Sequence, residues 1–162
     1  MKLIQKVSNK TLTEARQDKP NELDFDLAMK IINRCVSESK TLDCYMNIAV
    51  VDCTGRLKAF ARMDGAWLGS IEIAQSKAFT AIAFSGDEDK QGPLPTDKLA
   101  DMSQPKKDLF GIQNTNSNDG VVIFGGGVPL YINGKLVGAV GVSGSSVEND
   151  IKVAQAGASI VE

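Results

Sequence analysis

The sequence predicts an α+β domain built on a mainly antiparallel sheet. Two observations carry this: the strand-like runs are joined by hairpin turn chemistry, and helical segments flank those runs instead of alternating with single strands as βαβ units do. At 162 residues one domain spanning 1–162 accommodates all the elements.

Asn21 to Asp26 is rich in cap-capable residues, and Leu23, Leu27 and Ile31, then Ala28, Ile32 and Cys35, follow at helical spacing. A helix of about four turns ending near Lys40 is expected, with a short helix from Asn9 to Asp18 before it. Met46 to Asp52 and Leu57 to Met63 are strand-like runs separated by Cys53 to Arg56, with Gly55 available for a left-handed turn position. These two are expected to pair antiparallel. Ser70 is a candidate cap for a helix through about Phe84, whose narrow stripe Ile71, Ala74, Ala78 and Ile82 suits close packing on a sheet.

Ser85 to Asn118 is polar, carries Pro93, Pro95 and Pro105, and reads as a connection beside a pocket, with a turn of helix at Thr96 to Met102. Val121 to Phe124 and Val128 to Ile132 then read as strands on either side of Gly125–Gly127. Asn133-Gly134 predicts a type I′ hairpin into a strand from Lys135 to Val142. Ser145-Ser-Val-Glu148 fits a capping box, and Val147, Ile151, Ala154 and Ala158 continue as a C-terminal helix.

Charge and composition exclude several classes. Lys+Arg 18 against Asp+Glu 20, with no run of like charges, offers nothing to a phosphate backbone, so no nucleic-acid partner is expected. No apolar run approaches the roughly 18 residues of a membrane span, and the start lacks a secretory h-region, so a cytoplasmic protein without membrane contact is expected. Three cysteines without CxxC spacing read as packing residues and not as a disulfide framework or a metal site. The chain contains no histidine, which excludes histidine-based triads and removes the usual transition-metal and haem ligand.

Candidate site residues cluster around the glycine-rich run. Gly125, Gly126 and Gly127 are either a nest of backbone N–H groups for a carboxylate or phosphate, or a tight corner of a twisted sheet. Pro129 follows on the next strand. Arg62 and Asp64 end the second strand, where they would clamp a carboxylate or form a surface ion pair. Lys77 and Thr80, three apart on a helix, would face the same pocket, or be a solvated lysine and a back-bonded threonine. Gln113 and Asn114, within Gln113 to Asn116, offer amides to a small polar ligand or satisfy their own loop. No carboxylate pair has a catalytic spacing, so residue chemistry supports a binding module as readily as an enzyme.

Taken together, Ile48 to Gly55 with Arg62 to Ala66, Ala74 to Ala81, and Phe110 to Gln113 with the glycine-rich run through Asp150 resemble the GlcG-like family. That haem-binding or haem-degrading family also supplies the C-terminal part of PduO-type corrinoid adenosyltransferases. The resemblance covers about Asn47 to Gly157 and implies a profilin-like domain with a five-stranded antiparallel sheet flanked by helices, assembled as a homo-oligomer. It implies a small-molecule ligand, with haem as a possible cofactor held without histidine, through Cys, Met, Tyr or Lys or by apolar contact. Asn114 looks like a position at which relatives carry histidine. The alternative is a non-catalytic accessory or structural protein of glycerol/diol or hydroxy-acid metabolism, and no adenosyltransferase activity is transferred.

Overall fold

In a computed structural model of the protein, Asp24 opens the first described helix by accepting the Leu27 N–H at 2.7 Å. The structure describes residues 22–115 and 120–161, so the helix expected from Asn9 to Asp18 lies outside the described residues. Helix α1 runs Phe25–Thr41 and buries Ala28, Ile31, Ile32 and Cys35. Strands β1 (Asn47–Asp52) and β2 (Leu57–Arg62) form the expected antiparallel hairpin, turning with Gly55 at φ +76°. Helix α2 (Ser70–Ala83) and the short α3 (Thr96–Met102) precede β3 (Gly127–Ile132), β4 (Lys135–Ser143) and α4 (Val147–Ala158).

Every strand pair is antiparallel and the order is β2-β1-β4-β3. Asn133 at φ 52° and Gly134 at φ 74° are both left-handed, as a type I′ turn requires. Among the described residues the sheet has four strands, not five. Val121 to Phe124 joins no ladder, because the Val122 N–H is donated to Thr80 Oγ1 of α2 at 3.0 Å and not to a neighbouring strand.

The two faces of the sheet differ in side-chain size, and that difference sorts the helices. Ile48, Val50, Val140 and Val142 point to one face, where α1 and α4 cover them with Ile31, Ile32, Val153 and Ala154. Ala49, Val51 and Ala139 point to the other, against Ala74, Ala78, Ala81 and Ile82 of α2. The alanine stripe lets α2 approach so closely that a Cβ on Gly141 would collide with the Ala74 carbonyl and the Ala78 nitrogen. A small-residue face thus draws in one helix and a Val/Ile face supports two.

Local details differ from expectation in three places. Ser70 is the first residue of α2 and buried, not its cap, and Gly69 precedes it without a side-chain cap bond. The α4 cap is Ser146, which accepts from the Asn149 N–H, so the box read from Ser145 is shifted by one and Glu148 pairs with Lys152 instead. Of the cysteines, Cys35 and Cys44 pack in the core but Cys53 is exposed in the β1–β2 turn. Burial pushes the Cys35 thiol up to about 12.

Candidate functional site

One end of the sheet gathers most of the residues that carry chemistry. Arg62, Asn47 and Ser143 align across β2, β1 and β4, and Gly127 opens β3 opposite Gly141. Arg62 and the glycine triplet therefore share this end but sit on opposite edges, three strand spacings or about 14 Å apart. They do not form one pocket wall.

The triplet instead admits a buried ion pair. Lys77 is fully buried, and its Nζ donates to Asp150 Oδ2 at 2.7 Å and to the Val142 carbonyl at 2.8 Å, beneath the Phe124 ring at 4.8 Å. Burial pushes the Lys77 ammonium down and the Asp150 carboxyl up, and their mutual attraction opposes both shifts. A Cβ on Gly126 would lie 2.9 Å from Lys77 Nζ and 2.7 Å from the Val142 oxygen, and one on Gly125 would strike Ile151. Gly127 donates its N–H to Thr96 Oγ1 at 2.8 Å, while the Gly126 carbonyl accepts from Val142. Protein groups thus take up the space and two of the polar groups of the triplet.

The other candidates are dispersed. Thr80 is buried and spends its hydroxyl on Val122, three residues along α2 from Lys77. Arg62 and Asp64 are exposed and make no ion pair among the described residues. Gln113 and Asn114 lie exposed on a 3-10 turn at Ile112–Asn114, and Asn116 lies outside the described residues. Pro129 is buried on β3, an edge strand, where its missing N–H costs no ladder bond.

Between the two edges, at the same sheet end, lies a cleft of about 430 Å³ lined by Cys44, Tyr45, Gly65, Trp67 and Gly144 to Ser146. Tyr45 and Trp67 are 54% and 65% exposed. The Tyr45 ring rests on Gly65, where a Cβ would meet it at 3.5 Å, so the turn that ends the Arg62 motif seats the aromatic wall. Asn47 reaches from β1 to hold the Trp67 carbonyl at 2.9 Å, and its buried Oδ1 has no partner among the described residues. On the floor, the Ser145 N–H donates to Asp150 Oδ1 at 3.2 Å. The Lys77–Asp150 pair therefore fixes the cleft floor from below, and this is the connection between the triplet and the cleft.

Sequence reading missed Tyr45, Trp67, Thr96 and Asp150. Asp150 alone left a signal: it falls three residues before Val153 and four before Ala154, on the buried side of an amphipathic helix. Among the described residues no three acidic, cysteine or histidine side chains gather as around a metal ion. No described helix is long and apolar enough to cross a membrane.

Similar proteins share this framework. An uncharacterised 15.0 kDa protein from the dhaT-dhaS intergenic region of Citrobacter freundii is 41% identical over 120 residues, covering 73% of this chain and 78% of its own. The corrinoid adenosyltransferase PduO of Salmonella typhimurium is 32% identical over 158 residues, 94% of this chain but only 44% of that protein. Among solved structures, Klebsiella pneumoniae ORFY superposes with TM-score 0.77 at 29% identity, over 89% of this chain and 93% of its own. A PduOC:heme complex does so with TM-score 0.75 at 31% identity, over 87% and 96%. The match to haem degrading protein HbpS-like runs over residues 23–159, taking in the sheet, the buried pair and the cleft, and the chain therefore belongs to the HbpS-like family.

Proposed function

We propose that this protein binds a flat, largely apolar small ligand of the haem class in the cleft between Tyr45 and Trp67. The observation that carries this is the exposure of two aromatic rings, 54% and 65%, on the walls of one cleft. Aromatic faces left in water beside a cavity of this size are what a planar ligand covers. Gly65, the residue after Asp64, lines the cleft, and Lys77, beside Gly126, supports its floor through Asp150 and the Ser145 N–H. Arg62, Asp64 and Thr80, whose hydroxyl is taken by Val122, do not line it. Gln113, Asn114 and Pro129 stand outside this arrangement.

The chain's donor set fits haem without histidine. Tyr45 has an exposed phenol with no hydrogen bond among the described residues, whereas Lys77 is held by Asp150 and the Cys44 thiol is buried against the Ser39 carbonyl. Tyr45 is then the side chain that would ligate and Trp67 the one that stacks. When bound, haem would supply a redox-active iron. The relative crystallised with heme at 31% identity supports this reading.

A second reading is an accessory module without catalysis of its own: the chain spans 44% of the length of PduO, so that enzyme's activity does not carry over to it. Both readings include self-association, for which the edges of β2 and β3, unpaired among the described residues, are available. Light scattering that finds only a 17.3 kDa species would remove that part.

Haem titration tests the proposal. Stoichiometric haem should shift its Soret band with the wild-type protein and not with Tyr45→Ala or Trp67→Ala, while Tyr45→Phe should retain stacking and lose the phenolate signature. An unchanged titration in Tyr45→Ala, with the fold intact by circular dichroism, would place the ligand elsewhere.

A further inference from the structure

On the α2 face of the sheet lies a second cleft, of about 590 Å³, between the β1–β2 turn and α2. Glu72, Gln75, Ser76 and Phe79 line it at helical positions i, i+3, i+4 and i+7, so one face of α2 supplies one wall. Arg56 and Leu57 supply the other.

This wall is preorganised. Asp52 Oδ1 accepts from Thr54 N–H at 2.8 Å, Thr54 Oγ1 at 2.6 Å and Arg56 N–H at 3.2 Å, and the Asp52 N–H donates to the Arg56 carbonyl at 2.9 Å. Gly55, at φ +76°, sits so close to Phe79 that a Cβ would come within 3.1 Å of the ring. The turn is therefore clamped to α2 with the Arg56 backbone held at both its N–H and its carbonyl.

Most polar side chains lining this cleft have no partner among the described residues. Arg56 and Glu72 are both exposed and neither makes an ion pair, with each other or with any other described residue. The Ser76 hydroxyl makes no hydrogen bond among the described residues, and Gln75 commits only its Nε2, to the Ile71 carbonyl at 3.4 Å. A cation, a carboxylate and an apolar surface of Phe79 and Leu57 thus face one cavity of the size that small ligands occupy. A guanidinium selects a carboxylate, and a carboxylate selects an ammonium.

We propose that this cleft is a second binding site, separate from the Tyr45–Trp67 cleft, for a free α-amino acid with an apolar side chain. Its carboxylate goes to Arg56, its ammonium to Glu72, and its side chain lies on Phe79 and Leu57. A free amino acid carries both charged groups, whereas a peptide terminus carries only one of them here.

Amide chemical shifts of the intact chain test this with L-leucine, leucinamide and 4-methylpentanoate, titrated to about millimolar concentration. Leucine should shift Leu57, Ser76 and Phe79, and each analogue, lacking one charged group, should bind at least ~10-fold more weakly. Arg56→Ala and Glu72→Gln should each weaken leucine about 10-fold, and Lys152→Ala should leave it unchanged. The proposal is overturned if leucine shifts none of the three amides, if either analogue binds as well as leucine, or if both variants retain wild-type affinity.

Discussion

Lys77 and Asp150 meet at 2.7 Å with side chains 0% and 3% exposed, joining α2 on one face of the sheet to α4 on the other. The lysine reaches its partner past the end of the sheet, beside Gly126, where no side chain stands in the way. Asp150 then holds the Ser145 N–H at the cleft floor, so one pair ties together both outer layers and the candidate site.

Removing one partner from this pair should be costly and removing both much less so. Lys77→Met leaves a buried carboxylate unpaired and is expected to lower stability by about 3–5 kcal/mol. Adding Asp150→Asn removes that charge while keeping an acceptor for the Ser145 N–H, and should recover roughly 2 kcal/mol or more. Urea unfolding of the two single variants and the double variant measures the coupling, and additive losses would show that the pair is not energetically linked.

Gly126 should tolerate no side chain. Its φ of +115° and the contacts a Cβ would make, 2.7 Å to the Val142 oxygen and 2.9 Å to Lys77 Nζ, combine backbone strain with a clash. Gly126→Ala is expected to cost about 2–4 kcal/mol. Gly69→Ala, where nothing lies within 4 Å and φ is −63°, should be neutral or slightly stabilising. Thermal melts of the two variants side by side decide this, and equal shifts would mean that the triplet is not close-packed.

Asp87 should contribute to stability in a defined acid window. It accepts from the Leu136 N–H at 3.1 Å, from Lys135 at 3.1 Å and from Lys90 at 3.2 Å, and these bonds hold its carboxyl down at about 2 from an ordinary 3.8. Because the folded value is depressed, this contribution is complete above the ordinary value and is lost as pH falls from about 4 through about 2. Asp87→Asn should flatten the stability curve in that interval and leave its slope near neutrality unchanged. Denaturant unfolding across pH 2 to 5 measures the slopes, and parallel curves for the two proteins would contradict the assignment.

Much of the fold was determined locally and so was readable in the chain. Asp24 caps α1, Asn133-Gly134 turns the β3–β4 hairpin, and the alanine stripe Ala74, Ala78 lies on the sheet, because caps, left-handed turns and helical stripes depend on residues a few positions apart. The motifs from Asn47 to Gly157 identified the family for the same reason. What depended on distant partners was not readable. Val121 to Phe124 has a strand-like pattern, but its Val122 N–H goes to Thr80, 42 residues earlier, so this run does not join the sheet as a strand. Lys77 looks like a solvated helix lysine until Asp150, 73 residues later, is brought beside it. Gly125–Gly127 looks equally like a ligand nest or a sheet corner, and only the approach of Lys77, Ile151 and Thr96 from three different helices decides what fills that space. Tyr45 and Trp67 carry no local signal at all, since whether an aromatic ring faces a core or a cleft is settled by what the rest of the chain packs against it.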